Sequence, residues 1–275
     1  MRIDAHQHFW KYDPVKHSWI NDEMSVIRKD FGPPELHPNL KELNIDGTVA
    51  VQADETETET AYLLKLSAEH DFIKAVVGWV DLKTEGLEQR LEAYQQATKL
   101  VGFRAIMQGQ DDEAYLTNPT FTKNVRQLAD HGYTYDLLVF HHQLPSLIRF
   151  TDKLPDNKLI LDHIAKPDIK SKNIKDWKEQ MRILAGHPNI YCKLSGIITE
   201  ADFKKWSYDD VIPYIETAAE YFGIDRICFG TDWPVCLVAG SYRQVYEIIE
   251  KFSSQLDTQD REKIFGINTA TFYNL

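Results

Sequence analysis

Eight short apolar runs recur along the chain, each followed by a helix-like stretch, and this alternation constrains the fold more than any other feature. The runs span residues 3–9, 47–52, 73–80, 100–106, 134–140, 158–163, 189–195 and 226–232. They are rich in β-branched and aromatic side chains and are bounded by Gly, Asn, Asp or Pro, which is strand character. Between them, Thr58 to His70 sets Ala61, Leu64 and Ala68 on one face, and the stretch from Gly86 spaces Leu87, Leu91, Tyr94 and Ala97 helically. Ser207 reads as the N-cap of a helix over Tyr208 to Phe222, with Asp209 and Asp210 in its first turn. Strands alternating with helices run parallel and are buried on both faces. Eight such units in 275 residues predict an α/β fold, a single (β/α)8 barrel occupying residues 1–275 as one domain. No Gly-x-Gly-x-x-Gly follows an early strand, which argues against a dinucleotide-binding sheet.

One stretch breaks the rhythm. Residues 10–40 carry Trp10, Tyr12, Pro14, Trp19, Phe31, Pro33, Pro34 and Pro38 with little helical period, and are expected to form a long loop over the barrel mouth. Composition narrows the partners. The net charge of −11 and the lack of a long basic run exclude nucleic acid as an expected ligand. The N-terminus has no apolar signal core and no run approaches membrane-spanning length. Cys192, Cys228 and Cys236 form no metal-type pair, which fits structural thiols in a reducing cytoplasm.

Active sites of such barrels gather at the C-terminal ends of the strands. Strand one ends in His6 and His8, which alternation points to the same side, a spacing suited to one metal ion. Strand five ends in His141 and His142, strand six in Asp162 and His163, strand seven in Lys193 and Ser195, and strand eight in Asp232 and Trp233. Strand four carries Arg104, and strand three Trp79 and Asp81. Each signal alone is weak: a His-x-His occurs often by chance, and a lone Asp after a strand is commonly a turn residue. Their coincidence at strand ends is what points to chemistry.

The segments Met1-Arg-Ile-Asp-Ala-His-Gln-His-Phe-Trp10, Leu161-Asp-His-Ile-Ala-Lys-Pro167, Lys193-Leu-Ser-Gly196, Phe229-Gly-Thr-Asp-Trp-Pro234 and Ile264-Phe-Gly-Ile-Asn-Thr-Ala-Thr-Phe-Tyr273 resemble the amidohydrolase-related sugar lactonases, with Tyr12-Asp-Pro and Trp19-Ile on the L-fuconolactonase rather than the L-rhamnonolactonase side. The resemblance implies His6, His8 and Asp232 as metal ligands, and Asp232 as general base. It adds His163 and, from the His-Gln-Leu-Pro run, His142 as catalytic residues. Many relatives carry a histidine after Gly-Phe-Arg, where this chain has Ala105, and no strand-four Lys or Glu is placed to bridge two ions. A mononuclear or metal-free site is therefore expected rather than a binuclear one.

The reaction implied is hydrolysis of a sugar-acid lactone, a small-molecule substrate. Asp232 would draw a proton from water. Carbonyl polarisation would come from a divalent ion, zinc suiting the donors, or from protonated imidazoles, Arg104 and Lys193. Both routes use the same residue types, so the sequence leaves the metal requirement open, and the oligomeric state with it. Trp19, Trp79 and Trp233 are candidate faces for the sugar, and Gln52, Arg104 and Gln143 candidate hydrogen-bonding partners. The rival readings are a decarboxylase of aromatic acids on the same scaffold and a pyrone dicarboxylate lactonase. The latter wants more cations than Arg104, Lys166 and Lys193 provide. A noncatalytic sugar-binding barrel would be expected to lack the base or the strand-one histidines, and both are present.

Overall fold

The computed structural model describes residues 1–275. Its strands are β1 (Ile3–Gln7), β2 (Gly47–Val51), β3 (Ile73–Gly78), β4 (Leu100–Ile106), β5 (Thr134–Leu138), β6 (Leu159–Leu161), β7 (Ile190–Leu194) and β8 (Ile227–Phe229). All eight predicted strands are present, and each pairs in parallel with the next in sequence order. Between and after them lie α1 (Pro33–Glu42), α2 (Glu57–Glu69), α3 (Leu87–Glu92), α4 (Pro119–Asp130), α5 (Leu144–Thr151), α6 (Lys175–Ala185), α7 (Tyr208–Phe222) and α8 (Tyr242–Ser253). Two short helices, α9 (Thr258–Glu262) and α10 (Asn268–Tyr273), finish the chain. This is a (β/α)8 barrel. No helix is long and apolar enough to cross a membrane.

Two boundaries differ from the sequence reading. The irregular stretch after β1 stops at Gly32, where α1 begins. Pro33 and Pro34 sit in its first turn, where an N–H is not needed, and Glu35 reaches back to the Gly32 N–H at 2.9 Å. Three prolines masked the Leu36 and Leu40 spacing that α1 buries. The helix expected to run to Ala97 ends at Glu92. A succession of i→i−3 turns then carries the chain on, with Tyr94 bonded to the Leu91 carbonyl and Ala97 to that of Tyr94. The Ser207 cap over α7 is present, closed by Asp210 in a capping box.

The barrel interior is apolar at its base. Ile3 and Ala5 meet Val49, Val51, Ala75, Val77, Ile160 and Cys228, with Phe272 and Tyr273 in the same cluster. The β1–β2 register shifts between Asp4 and Gln7. Such an irregularity re-aims side chains, and here His6 and His8 follow Ile3 and Ala5 inward despite the change of parity.

The ring closes beyond the end of β8. The Asp232 N–H donates to the His6 carbonyl at 2.8 Å, and the His8 N–H to the Trp233 carbonyl at 2.7 Å. Asp4 ties this seam from behind. Its carboxylate accepts the backbone N–H groups of His6 and Thr231, both at 3.0 Å, the Thr231 hydroxyl at 2.6 Å and the Tyr242 hydroxyl at 2.9 Å. Burial nevertheless pushes this carboxyl up to about 6, against the pull of those donors. Tyr242→Phe removes one donor and is expected to cost about 1.5–3 kcal/mol in urea denaturation, the usual worth of a hydrogen bond to a charged group. A change below about 0.3 kcal/mol would mean that Asp4 does not rely on it.

Candidate active site

The closing seam delivers three potential ligands to one point. His6 and His8 project from the end of β1, and Asp232 from the residues after β8. Asp232 has φ of +57°, a left-handed conformation that Asp tolerates better than most residues. The two Nε2 atoms lie 3.2 Å apart, and Asp232 Oδ1 is 3.2 Å from that of His8 and 3.8 Å from that of His6. His163 Nε2 stands 3.9 Å from the same oxygen.

The protonation pattern follows from the partners. His8 Nδ1 is 2.7 Å from the Val51 carbonyl. A carbonyl only accepts, so that nitrogen holds a proton, and the ring's Nε2 is turned toward Asp232. Burial holds His6 well below its ordinary pKa, with the neighbouring Lys193 and His8 adding to the effect against Asp162. Burial likewise holds His163 well below the usual range, despite Asp232. Burial would raise Asp232, but His163, His8 and Lys166 outweigh it and hold the carboxyl below its ordinary value. At neutral pH the site therefore holds a carboxylate beside neutral imidazoles at His6 and His163. Protonated forms of these two as oxyanion donors, one of the sequence-based options, do not fit this environment.

Two ring nitrogens and a carboxylate oxygen converging on one point are the donor atoms a cation site needs. Tetrahedral zinc with bonds of 2.0–2.1 Å places its ligands about 3.3 Å apart, close to the separations among His6, His8 and Asp232. The donor set is therefore able to hold a metal ion. The same holds on distance grounds for His6, Asp162 and His163.

Beneath the histidines lies a buried charge layer. Asp162 Oδ1 and the Lys193 ammonium each lie 3.2 Å from His6 Nδ1. Lys193 also contacts Asp136 at 2.5 Å and Asp162 at 3.0 Å, and the Tyr273 hydroxyl caps Asp136. Arg104 donates to Asp162 at 2.9 Å, to the Gln52 carbonyl at 2.5 Å and to its side-chain oxygen at 3.0 Å. Burial would raise Asp162, but Lys193, His6 and Arg104 hold it well below the carboxylate range.

Above this layer opens a cavity of about 270 Å³, with His8, His163 and Asp232 on its wall. Trp10, Trp19, Ile106, Leu138 and Val235 supply apolar surface, and Arg104, Lys166, Gln108 and Gln110 polar groups. Two of these groups are buried and unpartnered: the Nε–H of Arg104 and the Oε1 of Gln108. A larger cleft of about 350 Å³, at the opposite end of the barrel beside Met1, Arg2 and Asp46, has no such cluster.

His6, His8, His163, Asp232, Arg104 and Trp19 thus come together as read from sequence. Six other candidates do not. His142 is exposed, stacks on Phe140 and lines a separate cleft, because the turn after β5 points it outward; neighbouring His141 instead bonds the Lys166 carbonyl at 2.8 Å. Lys193 is fully buried under His6 and off the cavity wall. Gln52 is buried behind Arg104 and orients it. Trp79 is half-buried and off the wall, with its backbone pinned by the Thr60 hydroxyl. Trp233 is core, edge-on to Phe9 and Phe31. Gln143 spends its amide on the backbones of Met107, Gly109, Gln110 and Phe140.

The sequence reading took Trp10 as a residue of the first loop and Lys166 only as a cation near a strand end, and assigned neither to the site. Trp10 continues the two-residue step of His6 and His8, a signal available in the sequence. Lys166 is placed by backbone conformation. His163, Ile164, Ala165 and Lys166 all have positive φ, between 47° and 59°, a left-handed turn that costs about 1–2 kcal/mol per residue. Gly196, at φ of +59°, lets this turn approach: a Cβ there would lie 2.6 Å from His163 Nδ1. Ser195 Oγ meets the same nitrogen at 2.9 Å.

Comparison with known proteins agrees with the geometry. An L-fucono-1,5-lactonase of Burkholderia multivorans is 37% identical over 286 residues, covering 100% of this chain and 96% of that protein. A crystal structure of an amidohydrolase from Burkholderia multivorans with bound zinc superimposes with a TM-score of 0.97 at 37% identity, covering 100% of this chain and 99% of the other. Structures of a probable 2-pyrone-4,6-dicarboxylic acid hydrolase from Acinetobacter baumannii (17% identical, TM-score 0.81) and a dihydroxybenzoic acid decarboxylase from a Polaromonas species (15%, 0.69) share the fold alone. The sequence profile of the amidohydrolase family matches residues 3–275. The chain belongs to the amidohydrolase family.

Proposed function

We propose that this protein hydrolyses a sugar-acid lactone, of which L-fucono-1,5-lactone is the first candidate, with residues 1–275 acting as one catalytic domain. The observation that carries the reading is a carboxylate held ionised, Asp232, between two imidazoles on the wall of a cavity that also carries the polar side chains of Arg104, Lys166, Gln108 and Gln110. The 37% identical lactonase supports the substrate class.

Asp232 takes a proton from a water molecule as the water oxygen attacks the lactone carbonyl carbon, then returns it to the ring oxygen as the C–O bond breaks. Arg104, Lys166, Gln108 and Gln110 on the cavity wall offer donors and acceptors to ring hydroxyls. Trp10 and Trp19, edge-to-face at 6.0 Å, supply aromatic surface against which sugar C–H groups can pack. Ile106, Leu138 and Val235 supply apolar surface suited to the methyl group of a 6-deoxy sugar. Zinc is the ion this donor set suits, with His6, His8 and Asp232 as ligands, and when bound it supplies Lewis-acid polarisation of the carbonyl. The three buried, unpaired cysteines fit a cytoplasmic setting.

The test is a proton-release screen of 1,5- and 1,4-aldonolactones, with and without supplied zinc, alongside a decarboxylation assay on hydroxybenzoic acids. The expected result is turnover of lactones, with kcat/KM highest for a 6-deoxy sugar. Decarboxylation of an aromatic acid with every lactone untouched would overturn the reading.

A further inference from the structure

The left-handed turn after β6 is held from several sides. The Trp177 indole N–H donates to the Ile164 carbonyl at 2.8 Å, His141 Nδ1 lies 2.8 Å from the Lys166 carbonyl, and the Lys166 N–H donates to the His163 carbonyl at 2.8 Å. Ile164 and Ala165 are fully buried, and a β-branched residue at positive φ is a genuine outlier. Strain that the surroundings over-determine clusters where a site needs a particular presentation. Residues three apart on one helical turn share a face, and the two ends of this turn, His163 and Lys166, both reach the cavity that holds Asp232.

Two cations line that cavity, and they are differently engaged. Arg104 is tied by its terminal nitrogens to Asp162 and Gln52. The Lys166 ammonium has one carboxylate near it, Glu200, at 3.4 Å. That is longer than the 2.7–2.9 Å of a charge-assisted hydrogen bond, and it leaves donors free. Lactone hydrolysis starts from a neutral ring and ends with a carboxylate. As water adds to the acyl carbon, negative charge grows on the acyl oxygen. The ring C–O bond then breaks, one water proton passes to the ring oxygen, and the new acid ionises. Once Asp232 has returned its proton it is charged again, and its charge opposes that of the product carboxylate beside it.

We propose that Lys166 is a further catalytic residue of this reaction, its ammonium donating to the acyl oxygen as charge develops there and then to the product carboxylate. The assignment rests on the lactonase reading above and adds the group that receives the acyl charge. Removing one such donor lowers kcat by about 10²–10³-fold in comparable sites.

The experiment compares wild type, Lys166→Met, Lys166→Arg and Glu200→Gln. Three readouts are taken: kcat and KM on the best lactone, inhibition by its open aldonate, and inhibition by the matching neutral alditol. Lys166→Met is expected to lower kcat about 100-fold and weaken aldonate binding at least tenfold, leaving alditol binding within about twofold. Lys166→Arg should recover part of both losses, and Glu200→Gln, which keeps the ammonium, should stay within about threefold of wild type. Equal losses in Lys166→Met and Glu200→Gln would mean that the pair is merely structural, and unchanged aldonate binding in Lys166→Met would overturn the proposal. Calorimetric titration of the aldonate into wild type and Lys166→Met needs no turnover. Failure of the lactonase reading, seen as no lactone consumed by wild type, is thereby distinguishable from failure of this one.

Discussion

Lys193→Met is expected to destabilise the protein by about 3–5 kcal/mol, the cost of breaking a buried ion pair by removing one partner. Lys193 is fully buried and lies within 3.0 Å of both Asp136 and Asp162. Methionine fills most of the volume, so the loss comes from the carboxylates left behind rather than from a cavity. One relief is available. Burial and the charge of Asp162 already push Asp136 up to about 6, against the pull of Lys193 and Tyr273, and without the ammonium it rises further. A carboxyl whose folded pKa lies above its unfolded value binds its proton more tightly when folded, so the associated stability is fully present below about pH 4 and is lost as pH rises through the folded value. The deficit of Lys193→Met should therefore be larger at pH 8 than at pH 5 in urea midpoints. A deficit below 1 kcal/mol at both would show that the charge layer does not support the fold. Because Lys193 also lies 3.2 Å from His6 Nδ1, its loss should disturb the ligand cluster as well.

Depth explains why this lysine was misread. Strand alternation correctly sends Lys193 into the barrel, but it does not say at which layer a side chain ends. One layer higher, it would have faced the cavity; where it stands, it underpins His6. The eight strands were legible because strands buried on both faces leave unbroken β-branched runs. The first helix was not, because Pro33, Pro34 and Pro38 hide its period. His141 and His142 show another limit: adjacent residues in a turn leave no alternation to choose between them, and the histidine turned toward the barrel serves Lys166 rather than the cavity. Lys166 itself was beyond reach of a periodicity argument. The backbone that sets residues 163 and 166 on one cavity wall is a left-handed turn of non-glycine residues, which no residue type in the segment announces.

Asp232→Asn should lower kcat by about 10²–10⁴-fold, the range for removal of a general base, with little change in folding. The substitution is nearly isosteric. Asn tolerates the left-handed backbone found at φ of +57°. The bonds that fix this residue are main-chain: its N–H to the His6 carbonyl at 2.8 Å, and the Cys236 N–H to its own carbonyl at 2.9 Å. Closure of the barrel therefore does not depend on the side chain, and the thermal midpoint should stay within a few degrees of wild type. What changes is the proton acceptor. An amide oxygen is far too weak a base to take a proton from water, and no other carboxylate lines the cavity.

Everything proposed for the cavity turns on Asp232, held ionised at the barrel's closing seam, acting as the base of a lactone hydrolysis. The most direct test is proton release from L-fucono-1,5-lactone by wild type and Asp232→Asn, measured side by side on samples with matched circular dichroism. Wild type is expected to turn over steadily, and Asp232→Asn at a rate at least about a hundredfold lower. Turnover by a folded Asp232→Asn within tenfold of wild type would contradict that role.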